Sequence, residues 1–338
     1  MRRVRELGVA VVGLGVGEQH ARAFAALPDC RVRWLLDLDP ERAEKLAAQL
    51  VGSKVAPDYA FVLGQKDVDV IAIASFDDMH AQQASAALAA GKHVFVEKPL
   101  CRSQQELEEL KRLWVAAGGR LRLASNLVLR AAPLYRWLKE HISAGALGDL
   151  YALDGDYLYG RLHKITEGWR REVVDYSVVQ GGGVHLIDLV LWLTGQRPVS
   201  VSAAGNRICS RDSGFRYNDF CSATLHFATG LISRITANYG CVHRHQHVLR
   251  AFGTAASFIY DDAGARLHES RDPDTKPRPV TESPLPTSKG ALIPAFVESI
   301  LAGENSAREV QTFFDAISVA IACDRAAASG ANEAVAYV

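Results

Sequence analysis

Three closely spaced glycines separate an apolar run at residues 7–12 from a segment with helical spacing at residues 18–27. Gly13 would allow the chain to turn sharply out of a strand, and Gly15 would let the backbone approach a bound group closely. Gly17 takes the place of the third glycine, in a GxGxG spacing one residue shorter than GxGxxG. A helix that starts there presents unpaired amides to phosphate groups. The turn therefore predicts a dinucleotide-binding site formed by Gly13, Leu14, Gly15, Val16 and Gly17.

An acidic residue, Asp37, follows the second apolar run and lies 20 residues beyond Gly17. At this place a carboxylate can accept hydrogen bonds from the adenosine ribose, and the same charge repels a 2′-phosphate. Leu38 beside it offers no cation. Arg42, about one helical turn further on, either contributes to the cofactor site or is a solvated charge on the next helix. We therefore expect NAD rather than NADP as the cofactor.

Strands and helices alternate over the first 124 residues. Short apolar runs predict strands at residues 7–12, 32–36, 68–74, 93–96 and 121–124. The intervening segments predict helices at residues 18–27, 40–50, 80–90 and 104–117, the last with Ser103 as its N-cap. Continuous apolar strands separated by helices indicate a parallel sheet covered on both faces, and right-handed crossovers give a doubly wound Rossmann domain.

The pattern changes after Asn126, where several strands follow one another through short turns. Strands are predicted at residues 151–159, 199–206, 220–227, 231–239, 247–252 and 257–260, and a proline-rich loop at 272–288. Helices are predicted at residues 133–144, 183–193, 290–302 and 307–328. Consecutive strands of this kind indicate an antiparallel sheet. The fold class is thus α/β, with domains at 1–124 and 125–338, and we expect the last helices to pack back on the first domain.

The composition argues against two classes of partner. The chain has 38 basic and 38 acidic residues and no basic cluster, whereas nucleic-acid-binding proteins carry an electrostatic footprint. No apolar run approaches the roughly 20 residues that a membrane helix needs. The six cysteines are scattered without a close CxxC pair, which favours reduced thiols. We therefore expect a cytoplasmic protein without nucleic-acid or membrane partners.

The motifs that carry a family resemblance extend over nearly the whole chain. They are the glycine turn with His20, the run at 37–42, Ile73-Ala74-Ser75 with His80, the stretch 87–94 leading to Glu97-Lys98-Pro99-Leu100, Asn126 with Arg130 and Pro133, and Gly183-Val184-His185-Leu186-Ile187-Asp188. With these motifs the chain resembles the Gfo/Idh/MocA family, named for glucose–fructose oxidoreductase, inositol dehydrogenase and rhizopine catabolism.

The resemblance implies a Rossmann domain followed by an α/β domain whose large, mostly antiparallel open sheet forms homodimers or homotetramers. It implies an oxidoreductase acting on a sugar, an inositol, a sugar acid or a nucleotide-linked sugar. Lys98 would contact both cofactor and substrate, and His185 would face the substrate. The predicted cofactor-binding residues outside the glycine turn are Asp37, Leu38, Arg42, Ser75, Phe76, His80, Glu97 and Lys98.

The chain departs from the family pattern at two positions. Phe76 stands where the family usually has a proline, and Gly181 stands where many members have an aspartate four residues before the histidine. A carboxylate that would pair with the histidine or the substrate is therefore missing. Either Asp188, Asp175 or Tyr176 takes its place, or the chemistry differs.

Oxidation of a secondary alcohol requires a base for the hydroxyl proton while hydride leaves the same carbon. A histidine suits this role because its unperturbed pKa, about 6.5, lies near working pH. We therefore expect His185 to be the base and Lys98 to stabilise developing alkoxide charge. The alternative is that Lys98 itself is the base, since the positive nicotinamide ring would disfavour its protonated form.

Several further residues are candidates for substrate contacts. Trp169 and Arg170, in a predicted loop, could stack on and hydrogen-bond a sugar ring, or they could form a surface anchor that packs one domain onto the other. Arg130 could contact an anionic substrate or have a structural role, and Asn126 precedes it in the same motif. Asp188 follows His185 by three residues and could act with it or serve only as a first-turn carboxylate.

A row of alternating histidines, His243, His245 and His247, has spacing that resembles a metal site. No carboxylate or cysteine ligand accompanies it, so we interpret it as an edge-strand or interface row and expect no metal. The sequence as a whole predicts an NAD(H)-dependent dehydrogenase of polyhydroxylated substrates. Two alternatives remain open: an inactive dinucleotide-binding sensor, and an NAD-dependent glycosidase, which the family also contains.

Overall fold

The computed structural model of the chain describes residues 6–303 and 307–338. These residues fall into two compact units. The first contains residues 6–128, 286–303, 307–314 and 338, and the second contains residues 129–285 and 315–337. The chain thus leaves the first unit near residue 128 and returns to it at residue 286.

The strands of the described residues are numbered in chain order. They are β1 (Leu7–Val12), β2 (Cys30–Leu36), β3 (Lys54–Val55), β4 (Val70–Ile73), β5 (His93–Val96), β6 (Leu123–Ser125), β7 (Leu150–Leu158), β8 (Pro198–Asn206), β9 (Phe220–Phe227), β10 (Ile232–Asn238), β11 (Gln246–Gly253), β12 (Ser257–Asp261), β13 (Gly264–His268), β14 (Arg278–Val280) and β15 (Glu333–Ala334).

The α-helices are α1 (Gly17–Ala25), α2 (Pro40–Ala47), α3 (Tyr59–Gly64), α4 (His80–Ala89), α5 (Gln104–Ala116), α6 (Pro133–Ser143), α7 (His163–Thr166), α8 (Trp169–Glu172), α9 (Val184–Thr194), α10 (Ile293–Ala302) and α11 (Ala307–Ser329). A 3-10 turn covers Val128–Ala131, and a π-helical turn covers Val179–Gly183.

The first unit is built on a six-stranded parallel sheet in the order β3-β2-β1-β4-β5-β6. This is the doubly wound order of a dinucleotide-binding fold, in which ligands bind beyond the carboxyl ends of the strands where the order reverses. Here the reversal lies between β1 and β4. The loops that follow β1, β4 and β5 therefore meet at one edge of the sheet.

Both faces of this sheet are covered, which is why its central strands β1 and β4 are apolar throughout. All residues of β1 and β4 are buried. The cluster against β1 and β2 includes Phe24 of α1 and Ile293, Phe296 and Val297 of α10. The late helix α10 is thus part of the core of the first unit.

Local signals set the helix starts. Asp39 accepts a hydrogen bond from the Arg42 amide at the start of α2, where Pro40 fills the first turn. At the start of α5, Ser103 and Glu106 form a reciprocal capping box, as the sequence predicted for Ser103.

The second unit contains a nine-stranded sheet in the order β14-β13-β12-β11-β7-β10-β9-β8-β15. Its pairs are antiparallel except for β10 with β7. From Leu153 to Tyr157 of β7 every second residue is buried, because that face is covered by helices. The α9 helix covers this face, and Gly155 of β7 lets Leu186 approach the strand closely. The predicted α/β fold class, with a parallel Rossmann sheet and a mostly antiparallel second sheet, is confirmed.

One local prediction was wrong, since the proline-rich segment predicted as a loop contains β14. The helix predicted at residues 183–193 is present as α9, and a π-helical turn that was not predicted precedes it. The short elements β3, α3, β13 and β15 were not predicted, because two to six residues carry too little periodicity to be recognised. Within the described ranges, no helix is both long and apolar enough to span a membrane.

Candidate cofactor and active site

The turn after β1 has the geometry that its glycines predicted. Gly13 has a φ of +79°, and a Cβ there would lie 2.5 Å from the backbone of Ala74. A Cβ on Gly17 would touch Val11 and Ala74 at 3.2–3.3 Å, so Gly17 brings α1 close to the sheet. A Cβ on Gly15 would meet no atom within 4 Å. The backbone at Gly15 is therefore accessible to a phosphate.

Asp37 lies directly beside this turn. Its carboxylate accepts hydrogen bonds from the amides of Leu14 and Asp39, and the guanidinium of Arg42 lies 3.5 Å away. The side chain of Asp37 is only 8% exposed, whereas Leu38 is 87% exposed. Arg42 is thus paired with Asp37 and Asp39 rather than being simply a solvated charge.

The loop after β4 is fixed by buried polar contacts. Ser75 donates a hydrogen bond to Gln83 at 2.7 Å. The fully buried His80 has one ring nitrogen 2.7 Å from the Pro99 carbonyl and the other 3.2 Å from the Ser75 carbonyl. His80 therefore connects the loops after β4 and β5. Phe76, which lies between Ser75 and His80 in the sequence, is 40% exposed at the same edge of the sheet.

A buried network surrounds Glu97. Its carboxylate lies 3.0 Å from His20 Nε2 and accepts a hydrogen bond of 2.6 Å from the Asn126 amide. Burial by itself raises the pKa of Glu97, but the hydrogen bonds and charges of His20, Asn126 and Lys98 lower it to about 2. Glu97 is thus an anion at all working pH values, and it also accepts a hydrogen bond from the Lys98 amide at 3.3 Å.

Lys98 immediately follows this network. It lies beyond the carboxyl end of β5 and is half-buried. Asn126 reaches Glu97 from the end of β6, and its amide nitrogen also donates to the Lys289 carbonyl at 2.8 Å. Its Oδ1 is buried and has no hydrogen-bond partner within the described part of the chain. Asn126 can therefore only accept a further hydrogen bond.

In the second unit, His185 lies in the first turn of α9, immediately after the π-helical turn. It is 7% exposed, and its ring lies near those of Tyr157 and His247, with centroid distances of 6.4 and 5.7 Å. Single π turns inside helices are frequent at functional sites. His185 is thus bounded by aromatic rings from β7 and β11.

Asp188 forms a buried ion pair with Arg130. The Arg130 guanidinium binds both carboxylate oxygens of Asp188. The side chain of Asp188 is 1% exposed, and that of Arg130 is 10% exposed. Burial raises the pKa of Asp188, and the charge and hydrogen bonds of Arg130 oppose that shift. Of the roles left open for these two residues, the pairing favours a structural one.

The surroundings of His185 include three tyrosines that the sequence did not indicate, Tyr157, Tyr159 and Tyr239. The rings of Tyr157, Tyr159, Tyr239, His245 and His247 contact one another with centroid distances of 4.7–5.8 Å. The hydroxyl of Tyr176 lies 3.4 Å from that of Tyr239. We call Tyr157, Tyr159, Tyr176, Tyr239, His185, His245 and His247 the aromatic cluster.

The histidine row is divided in the structure. β11 begins at Gln246 and lies between β12 and β7, so the interpretation as an edge-strand row is wrong. His243 lies 2.8 Å from Asp262, whereas His245 and His247 belong to the aromatic cluster. Among residues 6–303 and 307–338, no group of three or more His, Cys, Asp or Glu side chains could hold a metal ion.

Trp169 and Arg170 lie in the short helix α8 rather than in a loop, with the guanidinium stacked 4.2 Å above the indole. The positive charge of Arg170 lowers the pKa of Tyr157 and Tyr239, and burial outweighs this effect in both. This arrangement is compatible with the predicted contact to a sugar ring.

A second buried network holds the π-helical turn. Asp324 of α11 accepts hydrogen bonds from Ser177 at 2.6 Å and Gln180 at 2.8 Å. Ser177 in turn accepts hydrogen bonds from the amides of Val179 and Gln180. Burial raises the pKa of Asp324 to about 6, although these hydrogen bonds lower it. Sequence reasoning missed this residue, because 144 positions separate it from Gln180.

Comparison with known proteins agrees with these observations. The oxidoreductase family described as having an NAD-binding Rossmann fold matches residues 7–125, and the Gfo/Idh/MocA C-terminal domain matches residues 135–259. Inositol 2-dehydrogenase 2 of Saccharopolyspora erythraea is 30% identical over 216 residues, which are 63% of this chain and 60% of that protein. The chain thus spans about 60% of the length of this curated relative.

Two solved structures share the fold. Myo-inositol 2-dehydrogenase from Lactobacillus plantarum has a TM-score of 0.82 at 21% identity, covering 98% of this chain and all of the other. A levoglucosan dehydrogenase in complex with NADH has a TM-score of 0.84 at 20% identity, with the same coverage. Together with the matches to both domains, these likenesses lead to one conclusion: the chain belongs to the Gfo/Idh/MocA family of oxidoreductases, which has an NAD-binding Rossmann fold.

Proposed function

We propose that the chain is an NAD(H)-dependent dehydrogenase of a secondary alcohol on a polyhydroxylated ring, such as an inositol, a sugar or a nucleotide-linked sugar. The observation that carries the proposal is the position of Lys98. It follows the buried Glu97 network and lies at the same edge of the parallel sheet as the glycine turn. In such sheets ligands bind at that edge.

The cofactor would be held by residues of the first unit. The glycine turn leaves its backbone accessible at Gly15, and Asp37 provides a carboxylate for the ribose hydroxyls. When bound, NAD supplies the acceptor for the hydride that leaves the substrate carbon. Asp37 favours NAD over NADP because its charge opposes a 2′-phosphate. Arg42 weakens this preference without removing it, since it is shared with Asp39.

The chemical roles are divided between two residues. His185 takes the hydroxyl proton, since a histidine titrates near working pH. Lys98 remains cationic and stabilises the negative charge that develops on the substrate oxygen. The negative charge of Glu97 supports this state of Lys98, because a nearby carboxylate favours the protonated amine.

The substrate class rests on the relatives and on the aromatic cluster. The relatives are named for inositol and levoglucosan, which are hydroxyl-bearing rings. The phenol and imidazole groups near His185 suit such rings, because they combine apolar surface with hydrogen-bonding groups. We propose the first unit for cofactor binding and the second for substrate binding.

Assembly and location are further parts of the proposal. The nine-stranded sheet would mediate a homodimer or homotetramer, as the resemblance to the Gfo/Idh/MocA family implies. The six cysteines are free, which supports a reducing compartment such as the cytoplasm.

The test measures NADH formation by the purified protein with NAD and a panel of inositols, anhydrosugars, sugar acids and nucleotide sugars. Turnover with one class, lost in Lys98→Met but kept in the exposed-site control Lys45→Met, supports the proposal. NAD binding without turnover on any member would contradict it and support a sensor. Hydrolysis of a glycoside without net NADH would instead support the NAD-dependent glycosidase.

A further inference from the structure

Arg161 contacts the aromatic cluster and carries a charge that no acidic side chain balances. It follows the end of β7 by three residues, and it is exposed. Within the described part of the chain, its guanidinium forms no hydrogen bond or ion pair. The arginines on the two strands beside β7 are paired instead, Arg234 with Asp154 and Arg250 with Asp156. The charge of Arg161 is therefore available to a ligand.

The guanidinium of Arg161 lies over a ring of the cluster. Its central carbon is 5.4 Å from the ring centroid of Tyr159, which is a cation–π contact. A guanidinium held over a ring keeps its N–H groups at its own edge, where they can still donate hydrogen bonds. Carboxylates and phosphates accept two such hydrogen bonds side by side. Arg161 thus has the chemistry with which arginines bind oxyanions.

The backbone that carries Arg161 is held in place. Gly160 before it has a φ of +60°, and a Cβ there would lie 1.8 Å from the His243 carbonyl oxygen. The Arg161 carbonyl accepts a hydrogen bond from the Lys164 amide at 2.9 Å. The side chain is therefore presented from a fixed turn, and less conformational freedom is lost when it binds an anion.

Ring contacts connect Arg161 to His185. The rings of Tyr157 and Tyr159 are stacked, with centroids 5.6 Å apart and an interplanar angle of 15°. The imidazole of His185 follows at 6.4 Å from the Tyr157 ring, with an angle of 28°. The proposed base and the guanidinium thus belong to one continuous group of rings in the second unit.

Positive charge acts on the phenols of this group. Burial raises the pKa of Tyr157 well above its ordinary value, and the charges of Arg170 and Arg161 oppose that shift. Arg170 opposes the same rise at Tyr239. The phenols are therefore neutral hydrogen-bonding groups in a positive potential, and such a potential attracts anions.

We propose that Arg161 is a specificity-determining residue, which binds a carboxylate or phosphate carried by the polyhydroxylated substrate. This rests on the proposed function of the same site. Sugar acids carry the carboxylate, and nucleotide-linked sugars carry the phosphate. Inositol and levoglucosan, for which the relatives are named, are uncharged. The chain would then differ from these relatives in the class of its substrate.

The first test compares anionic substrates with their uncharged parents by steady-state kinetics. The pairs are glucuronate with glucose, galacturonate with galactose, and UDP-glucose with glucose. The wild-type kcat/KM should be about tenfold or more higher for one anionic member, the effect of a charge-assisted hydrogen bond. Preference for a uronate identifies a sugar acid, and preference for UDP-glucose identifies a nucleotide-linked sugar. Equal kcat/KM within every pair that turns over would overturn the proposal.

Variants of Arg161 show whether this residue causes the preference. Arg161→Gln should raise the KM of the preferred anion about 10- to 100-fold and leave kcat within about twofold, because a contact made equally in the ground and transition states is lost. Arg161→Lys should recover part of the loss, since it keeps the charge without the paired donors. Arg211→Gln, at an exposed arginine of the same unit, is the control with wild-type KM. An unchanged KM in Arg161→Gln would overturn the proposal.

The second test needs no turnover and therefore separates this inference from the proposed function. Calorimetric titration of the protein with saturating NADH measures the binding of the same probes. One anionic member should bind about tenfold or more tightly than its uncharged parent, and Arg161→Gln should abolish that difference. This result without turnover of any probe would support the inference and contradict the proposed function. Turnover of an uncharged ring without tighter anion binding would support the proposed function and overturn the inference.

Discussion

The carboxyl edge of the first unit and the aromatic cluster of the second are built in opposite ways. At the first, the functional groups are backbone amides and a few side chains close to the ends of β1, β2, β4 and β5. At the second, tyrosines and histidines from β7, the end of β10 and β11 surround one helix start. The first site is formed by residues at the carboxyl ends of parallel strands, and the second is formed by side chains that pack together in the folded sheet.

This difference determines how each site tolerates change. A backbone cradle requires glycines, because any side chain at Gly13 would collide with the Ala74 backbone. A cluster of side chains can exchange one functional group for another if the space is kept. No comparable exchange is possible in the glycine turn, where the space beside Gly13 is occupied by backbone.

The largest effect on stability is expected from the buried pair in the second unit. Asp188→Asn leaves the guanidinium of Arg130, whose side chain is 10% exposed, without a countercharge. We expect a loss of about 3–5 kcal/mol in the free energy of unfolding, measured with urea. The double variant Asp188→Leu, Arg130→Met should recover most of it. A loss below about 1 kcal/mol in Asp188→Asn would mean that the pair is not structural.

The next largest effect is expected on catalysis, from a substitution of Lys98 in the first unit. Lys98→Met should lower kcat/KM about 10²- to 10³-fold, because a donor to the developing oxyanion is removed. The NAD dissociation constant should change only a few-fold, since the glycine turn and Asp37 are untouched. Steady-state kinetics and calorimetric titration measure the two quantities. Loss of NAD binding with equal severity would assign Lys98 to the cofactor rather than to catalysis.

A smaller effect concerns the network that holds the π-helical turn. Asp324 has a folded-state pKa raised to about 6, with burial as the main cause. The protonated carboxyl therefore stabilises the fold fully when the pH is below the unfolded-state pKa of about 4. This stabilisation is lost as the pH rises through the folded-state pKa of about 6. Relative to Asp324→Asn, the wild type should lose about 2–3 kcal/mol between pH 4 and pH 7. Parallel stability curves over that range would contradict the shifted pKa.

The two sites also differ in how far the sequence could predict them. The glycine turn, Asp37 and the Glu97-Lys98 motif were recognised because their functions depend on residues close to strand ends. Tyr157 and Tyr239 were not recognised, and His247 was assigned only to an edge-strand or interface row. Their neighbours belong to strands that are paired only in the folded sheet. Periodicity gives the faces of these strands but not their order, so it does not indicate which rings meet at His185.

The smallest predicted effect tests whether charge or shape sets cofactor preference at the better-predicted site. Asp37→Asn keeps the carbonyl oxygen that can accept from the Leu14 amide but removes the negative charge. The preference for NAD over NADP in kcat/KM should fall about tenfold, because a 2′-phosphate is no longer repelled and Arg42 is released from its partner. Asp39→Asn changes the other partner of Arg42 and should leave the preference nearly unaltered. Equal changes in both variants would assign the preference to Arg42, and the ribose contact would then lie elsewhere.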